Sequence, residues 1–220
     1  MKVSIKADSI PYPELRFLMM KPFYFFVLLL SIAACSKPEK TQLPILGRHE
    51  YIDTETGTDT IYHSVQNFAF YNQDSSLITN ATFEGKIYVS DFFFTSCPSI
   101  CPLMKVQMLR IYEKYEDNPQ VGILSHTIDP EYDNVAVLQD YAERLDVKSS
   151  KWHFVTGIKD SIYNMAQTSY YIGVRDDGSF EHSGKFVLVD KQRRIRGVYD
   201  GTDEKAVDKL LKDMDLLLQE

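Results

Sequence analysis

Cys97 and Cys101 are the residues whose type and spacing speak first. They lie four apart in T-S-C-P-S-I-C-P. On the opening turns of one helix, positions i and i+4 share a face, so both sulfurs would point the same way. A helix N-terminus supplies partial positive charge and unpaired N–H groups. Those lower a thiol pKa and favour thiolate, which is both the nucleophile and the soft metal ligand. Soft sulfur selects Cu(I), and an added imidazole suits Cu(II) as well. Pro98 and Pro102 fit the start of a helix, where a missing N–H costs least. Two chemistries are open to the pair. One is metal holding; the other is thiol–disulfide exchange, with Cys97 attacking and Cys101 resolving the mixed disulfide. A purely structural bridge is the weaker reading, because so small a loop restrains little unfolded-chain entropy.

A two-sulfur metal site wants a third donor, and the chain has five histidines. His126 and His153 fall inside apolar strand segments and read as packed, hydrogen-bonded core residues. His49 and His63 belong to an N-terminal hairpin and read as surface residues. His182 lies in the polar loop R-D-D-G-S-F-E-H-S-G, just before the strand K-F-V-L-V-D. Loops at strand ends can reach across to a neighbouring helix start, yet the residues alone leave open whether His182 is a ligand. Met104 and Met108 recur at helical spacing and read as core filling. Thr95, close to Cys97, leaves a minor peroxidase reading open. Asp129, in D-P, reads as a helix-capping or loop residue.

These side chains need elements to position them. The apolar run I-Y-V-S-D-F-F-F over Ile87–Phe94 suits a central strand leading straight into the cysteines. Met104, Met108, Ile111 and Tyr112 mark the helix that follows. A second buried strand spans Val121–Ile128, and a helix runs from about Asn134 to Leu145. A short strand at Trp152–Thr156 and a short helix at Ser161–Thr168 come next. A hairpin of Phe186–Asp190 and Ile195–Tyr199 precedes an amphipathic helix over Lys205–Leu218. Within Leu43–Tyr71, two alternating segments around a glycine-containing turn form a further hairpin. The pattern predicts an α/β fold: a thioredoxin-like central sheet flanked by helices, with an N-terminal β-hairpin extension.

Composition bounds the rest. The 220 residues include 44% hydrophobic and 25% charged, enough for one core, and the formal net charge is −7. No concentrated basic surface is present for nucleic acid. The cluster K-Q-R-R-I-R at Lys191–Arg196 reads as a solvated hairpin tip. Lys21 precedes an apolar run that ends in L-S-I-A-A-C at Cys35, the pattern of a secretory signal. The run is shorter than the ~20 residues a membrane span needs. Its end resembles the bacterial lipobox, in which the cysteine becomes the lipid-bearing first residue. The expected organisation is a signal peptide over 1–34, with the true start at Met19 or Met20. A lipidated N-terminus and tether follow over 35–42, then one domain over 43–220. With Cys35 taken by lipid, Cys97 and Cys101 are the two thiols of the folded domain, and in an oxidising compartment a close pair is a redox or metal site.

The segment F-F-F-T-S-C-P-S-I-C-P resembles the signature of the SCO/SenC family, thioredoxin-like copper-binding proteins of cytochrome c oxidase assembly. L-S-H-T-I-D-P-E-Y-D, L-Q-D-Y-A-E-R-L, K-W-H-F-V-T-G and F-V-L-V-D with its upstream histidine are similar to the family's later motifs, in order. The resemblance implies Cys97, Cys101 and His182 as copper ligands. It departs at Ser99, where the family commonly has an acidic residue, and that bears on partner recognition or redox tuning. What the resemblance implies is a copper metallochaperone for the CuA site of cytochrome c oxidase subunit II, or another envelope acceptor, carrying Cu(I), Cu(II) or both. The alternative is a thiol–disulfide reductase that keeps the acceptor's cysteines reduced. A spacer of three residues between the cysteines, and no proline in Gly173–Phe186, favour metal over general reductase chemistry. A monomer held by lipid on the periplasmic side of the inner membrane is expected.

Overall fold

The strand before the cysteines is buried at every position, as its apolar run predicts. In the computed structural model, which describes residues 42–174 and 184–220, this strand is β5 (Ile87–Phe93). The expected signal peptide, Cys35 and His182 lie outside the described residues. Ahead of β5 come β1 (Glu50–Thr54), β2 (Gly57–Ile61), β3 (Ala69–Asn72) and β4 (Leu77–Thr79). After it come α1 (Cys101–Tyr115), β6 (Val121–Thr127), α2 (Val135–Leu145), β7 (Trp152–Thr156) and α3 (Lys159–Asn164). The chain closes with β8 (Lys185–Val189), β9 (Ile195–Asp200) and α4 (Glu204–Leu217).

Seven strands form one sheet in the order β4-β3-β7-β6-β5-β8-β9. β5, β6 and β7 run parallel, and β3 and β8 flank them antiparallel. The expected N-terminal hairpin is β1–β2, a separate two-stranded sheet. Among the described residues no helix is long and apolar enough to cross a membrane.

Side chains alternate across β5, so one strand feeds two cores. Ile87, Val89 and Phe93 face Met104, Met108 and Ile111 of α1 together with Leu210 and Met214 of α4. Tyr88 and Phe92 face Phe68, Phe70, Ile162, Met165 and Tyr170 on the other side. Met104 and Met108 are buried in the first core, as their spacing predicts. Asn134 caps α2 by accepting from the amides of Ala136 and Val137. Asp129 accepts the Asp133 amide through its carbonyl, 2.8 Å; it is a loop residue and not the cap.

Three expectations change. The short helix read over Ser161–Thr168 begins earlier, at Lys159, and passes into a π-type turn over Met165–Ser169. His63 is not a plain surface residue: its Nε2 lies 2.8 Å from the Ser169 carbonyl, and the Tyr171 hydroxyl lies 3.1 Å from its Nδ1. Arg196 is no solvated tip either. It is 4% exposed and joins Asp190 and Glu220 with the carbonyls of Leu43 and Pro44.

His126 is buried, as read, and stacks on Phe92 at 4.7 Å between ring centres. Its Nδ1 approaches Ser90 Oγ at 3.3 Å, while Nε2 has no partner among the described residues. Burial therefore disfavours the imidazolium and pushes the pKa from 6.5 down to about 3. The unfolded chain binds this proton at higher pH than the folded one, so the contribution to stability is full above 6.5 and is lost as pH falls towards 3. Between about pH 7 and pH 5 the protein is expected to lose roughly 2 kcal/mol that His126→Phe does not lose, read by urea unfolding. Equal losses in both proteins would mean that His126 does not carry this pH dependence.

Candidate metal centre

β5 ends at Phe93 and delivers the chain to a tight turn in which the Cys97 amide donates to the Phe94 carbonyl, 3.3 Å. The helix begins at Cys101, with Pro102 behind it in the first turn. Cys97 therefore precedes the helix instead of sharing its first turns. The reason is local: a residue followed by proline is pushed out of the helical region, and Pro98 follows Cys97. The two sulfurs still meet across the helix start, since the Cys101 thiol donates to Cys97. Both residues are present as thiols and are nearly buried, 8% and 7% exposed.

Their surroundings separate the pair chemically. Burial opposes ionisation of Cys97, but hydrogen bonds from the Cys101 thiol and amide and from Ser99 outweigh it, and the pKa falls below the ordinary value. Burial pushes the Cys101 thiol well up, reinforced by its donation to Cys97 and by the charges of Cys97 and Asp91. Of the two thiols, Cys97 is the one whose surroundings favour ionisation, and Cys101 is the one that holds its proton.

One buried carboxylate, Asp133, holds the cysteine loop, another, Asp91, lies in a cavity beside Cys101, and neither stood out in the sequence. Asp133 is fully buried and takes the Thr95 amide at 3.0 Å, the Thr95 hydroxyl, and the Thr127 hydroxyl at 2.5 Å. Burial keeps its pKa above the ordinary range despite these donors. With its hydroxyl turned to Asp133, Thr95 braces the loop, and the peroxidase reading loses the residue it rested on. Asp91 sits on the α1 side of β5, accepts from Ser125, and shares a small cavity with Cys101, Met104, Tyr141 and Trp152. Trp152 Nε1 donates to Ser125 Oγ at 2.8 Å, fixing the hydroxyl that Asp91 uses. Burial raises Asp91 to about 7 against that hydrogen bond. The signal was present in retrospect, as a lone acid inside an apolar strand.

Among the described residues no third histidine, cysteine or carboxylate completes a metal-holding group with the cysteines. His126 and His153 are buried on strands with aromatic neighbours, as expected of core residues. The stem of the loop that carries His182 is described, and it abuts the site. A β-carbon at Gly184 would come within 3.3 Å of Ile100 Cδ1 and 3.8 Å of Met104 Sδ.

Similarity to known proteins agrees with this architecture. The chain is 29% identical over 161 residues to an SCO1 protein homolog of Bacillus subtilis (strain 168), covering 71% of this chain and 83% of that protein. Among solved structures, BsSco, described as a member of the Sco family of cytochrome c oxidase assembly proteins with a disulfide switch, superposes with a TM-score of 0.63. Its identity is 28%, over 70% of this chain and 93% of that one. Arabidopsis thaliana ScoI with copper bound gives a TM-score of 0.59 at 23% identity, over 70% and 98% of the two chains. The SCO1/SenC family model matches residues 56–218, from the first hairpin to the end of the last helix, and the chain belongs to that family.

Proposed function

We propose that this protein is a copper carrier of the cell envelope, which holds copper through Cys97, Cys101 and His182 and hands it to a copper-accepting protein of cytochrome c oxidase assembly. The observation that carries the reading is the unequal thiol pair at the head of α1. One sulfur is disposed to ionise and the other shields its proton, and both sit at the mouth of a rigid strand–turn–helix. Two thiolates and an imidazole make a donor set that suits copper in either oxidation state. Gly184 packed against Ile100 supports His182 as the third donor, because a single residue, Ser183, separates it in sequence from a backbone already at the helix start. The copper held by the Arabidopsis relative and the oxidase-assembly role of BsSco support the cargo and the acceptor. Subunit II, with its CuA cysteines, is the acceptor we favour.

Handover proceeds by ligand exchange. An acceptor thiolate bonds to copper as the bond to Cys97 breaks, and the proton released by the incoming thiol balances the one Cys97 takes up. Lipid on Cys35, following the lipobox-like L-S-I-A-A-C, would hold the carrier at the membrane where such an acceptor resides. Thiol–disulfide reduction of the acceptor is the second reading, and the lowered pKa of Cys97 with Cys101 as resolving thiol supports it. The two are separated by mixing copper-loaded protein with the reduced, copper-free soluble domain of subunit II. The carrier reading expects copper to leave this protein and appear in the acceptor. A protein that reduces an oxidised acceptor but delivers no copper would contradict it.

A further inference from the structure

The segment of chain that carries Cys97 is uncharged. From Phe92 to Met104 no residue carries a charge, in a chain of which 25% is charged. Ser96, Pro98, Ser99, Pro102 and Leu103 of that stretch are exposed. α1 buries Cys101, Met104, Met108 and Ile111 along its inner face. Leu103 and Val106, three apart and so neighbours on the helix surface, turn the other way and stay 56% and 55% exposed. Tyr132, 58% exposed, lines a groove with Ser96 and Thr95 on the other flank of the cysteine turn.

We infer that Leu103, Val106, Pro98 and Tyr132 form the docking face for the copper acceptor, and that the acceptor brings an uncharged, apolar rim around its own copper thiolates. The inference rests on the carrier reading. Sulfur-to-sulfur handover requires the acceptor to cover Cys97, which is only 8% exposed, so whatever receives copper also covers the residues beside it. Interface cores are depleted of charge and enriched in apolar and aromatic groups, and this face has that composition. These four residues carry no charge, and the charged residues that line the same groove, Asp140 and Arg144, pair with each other at 3.0 Å, so the matching surface needs no net charge and encounter is not steered by charge. A second copy of this chain is the less fitting occupant, because it would shut Cys97 away from any acceptor.

The test pairs Leu103→Ser with Val106→Ser in one protein and Leu103→Asp with Val106→Asp in another. Both sites are solvent-facing, and copper per chain and absorption spectrum are expected to stay unchanged. Handover to the reduced soluble domain of subunit II is expected to slow about tenfold or more, equivalent to about 1.4 kcal/mol. Removal of copper by the small chelator bathocuproine disulfonate is expected to keep its rate, since a small molecule needs no docking face. In the unaltered protein, handover is expected to change little between roughly 0.05 and 0.5 M salt. Equal handover rates in the variants would overturn the inference, as would slowed loss to the chelator or steep salt dependence. A dimer of the unaltered protein that the variants dissolve, with handover unchanged, would assign the face to self-association instead. Copper held but never handed over by the unaltered protein would remove the carrier reading, and this inference with it.

Discussion

Cys97→Ala is expected to lower copper affinity by at least about 100-fold, beyond what loss of a mere supporting residue costs. The substitution removes the sulfur whose surroundings favour thiolate, and the remaining thiol is the one whose proton burial holds most firmly. Cys101→Ala is expected to be comparably damaging. It deletes one donor and also the thiol that donates to Cys97, so the surviving sulfur ionises less readily. His182→Ala is expected to weaken binding less and to alter the Cu(II) spectrum most, because imidazole matters more to the harder ion. Competition against a chelator of known affinity reads all three. Cys97 is buried beside the helix start, so thermal unfolding of the variant is followed in parallel to separate loss of a ligand from loss of fold. Retention of tight copper by Cys97→Ala would mean that the metal sits elsewhere.

The largest expected effect on stability lies at the other end of the sheet. Tyr88, near the start of β5, pairs with Val189, so the β8–β9 turn and Arg196 lie away from the cysteines. Arg196 Nη1 reaches Asp190 at 3.1 Å and Glu220 at 2.7 Å, while Nη2 donates to the Leu43 carbonyl at 2.7 Å. One guanidinium thus ties the entry of the domain, the β8–β9 turn and the final residue together. Arg196→Met leaves Asp190, 2% exposed, short of a partner. Removing one member of a buried pair costs about 3–5 kcal/mol. Arg194, 2.8 Å from the same carboxylate, should hold the loss towards the lower end of that range. A urea midpoint that falls with an unchanged slope, and copper stoichiometry that does not change, are the expected outcomes. A shift of less than about 1 kcal/mol would show that the network is worth no more than a surface ion pair.

Arg196 also marks where reading the sequence stops. In K-Q-R-R-I-R it looks like a surface cluster, and only the fold reveals that carbonyls 152 and 153 residues away converge on it. The strands β5, β6 and β7 and the helices α2 and α4 were legible to within a residue or two, and α1 was legible apart from its start, which falls at Cys101 and not at Cys97. Their apolar periodicity is strong, and their ends carry clear signals such as Asn134 and Pro102. The β3–β4 hairpin was not, because its strands have four and three residues, too few to establish a period. The cysteine pair was legible because its chemistry is local. Its surroundings were not: Asp133 reaches Thr95 across 38 residues, and Asp91 reaches Ser125 across 34. Such contacts follow from strand register, which no short segment of sequence encodes. The displacement of Cys97 from the helix was readable from Pro98, once the restriction on the residue before proline is weighed against helical spacing.

Copper stoichiometry on the domain from Gln42, loaded separately with Cu(I) and Cu(II) while thiols are titrated in parallel, tests the central claim most directly. One tightly held copper per chain, with both thiols protected while it is bound and exposed when it is removed, is the predicted result. No retained copper, together with a readily reduced Cys97–Cys101 disulfide, would contradict the account and make the pair a redox centre.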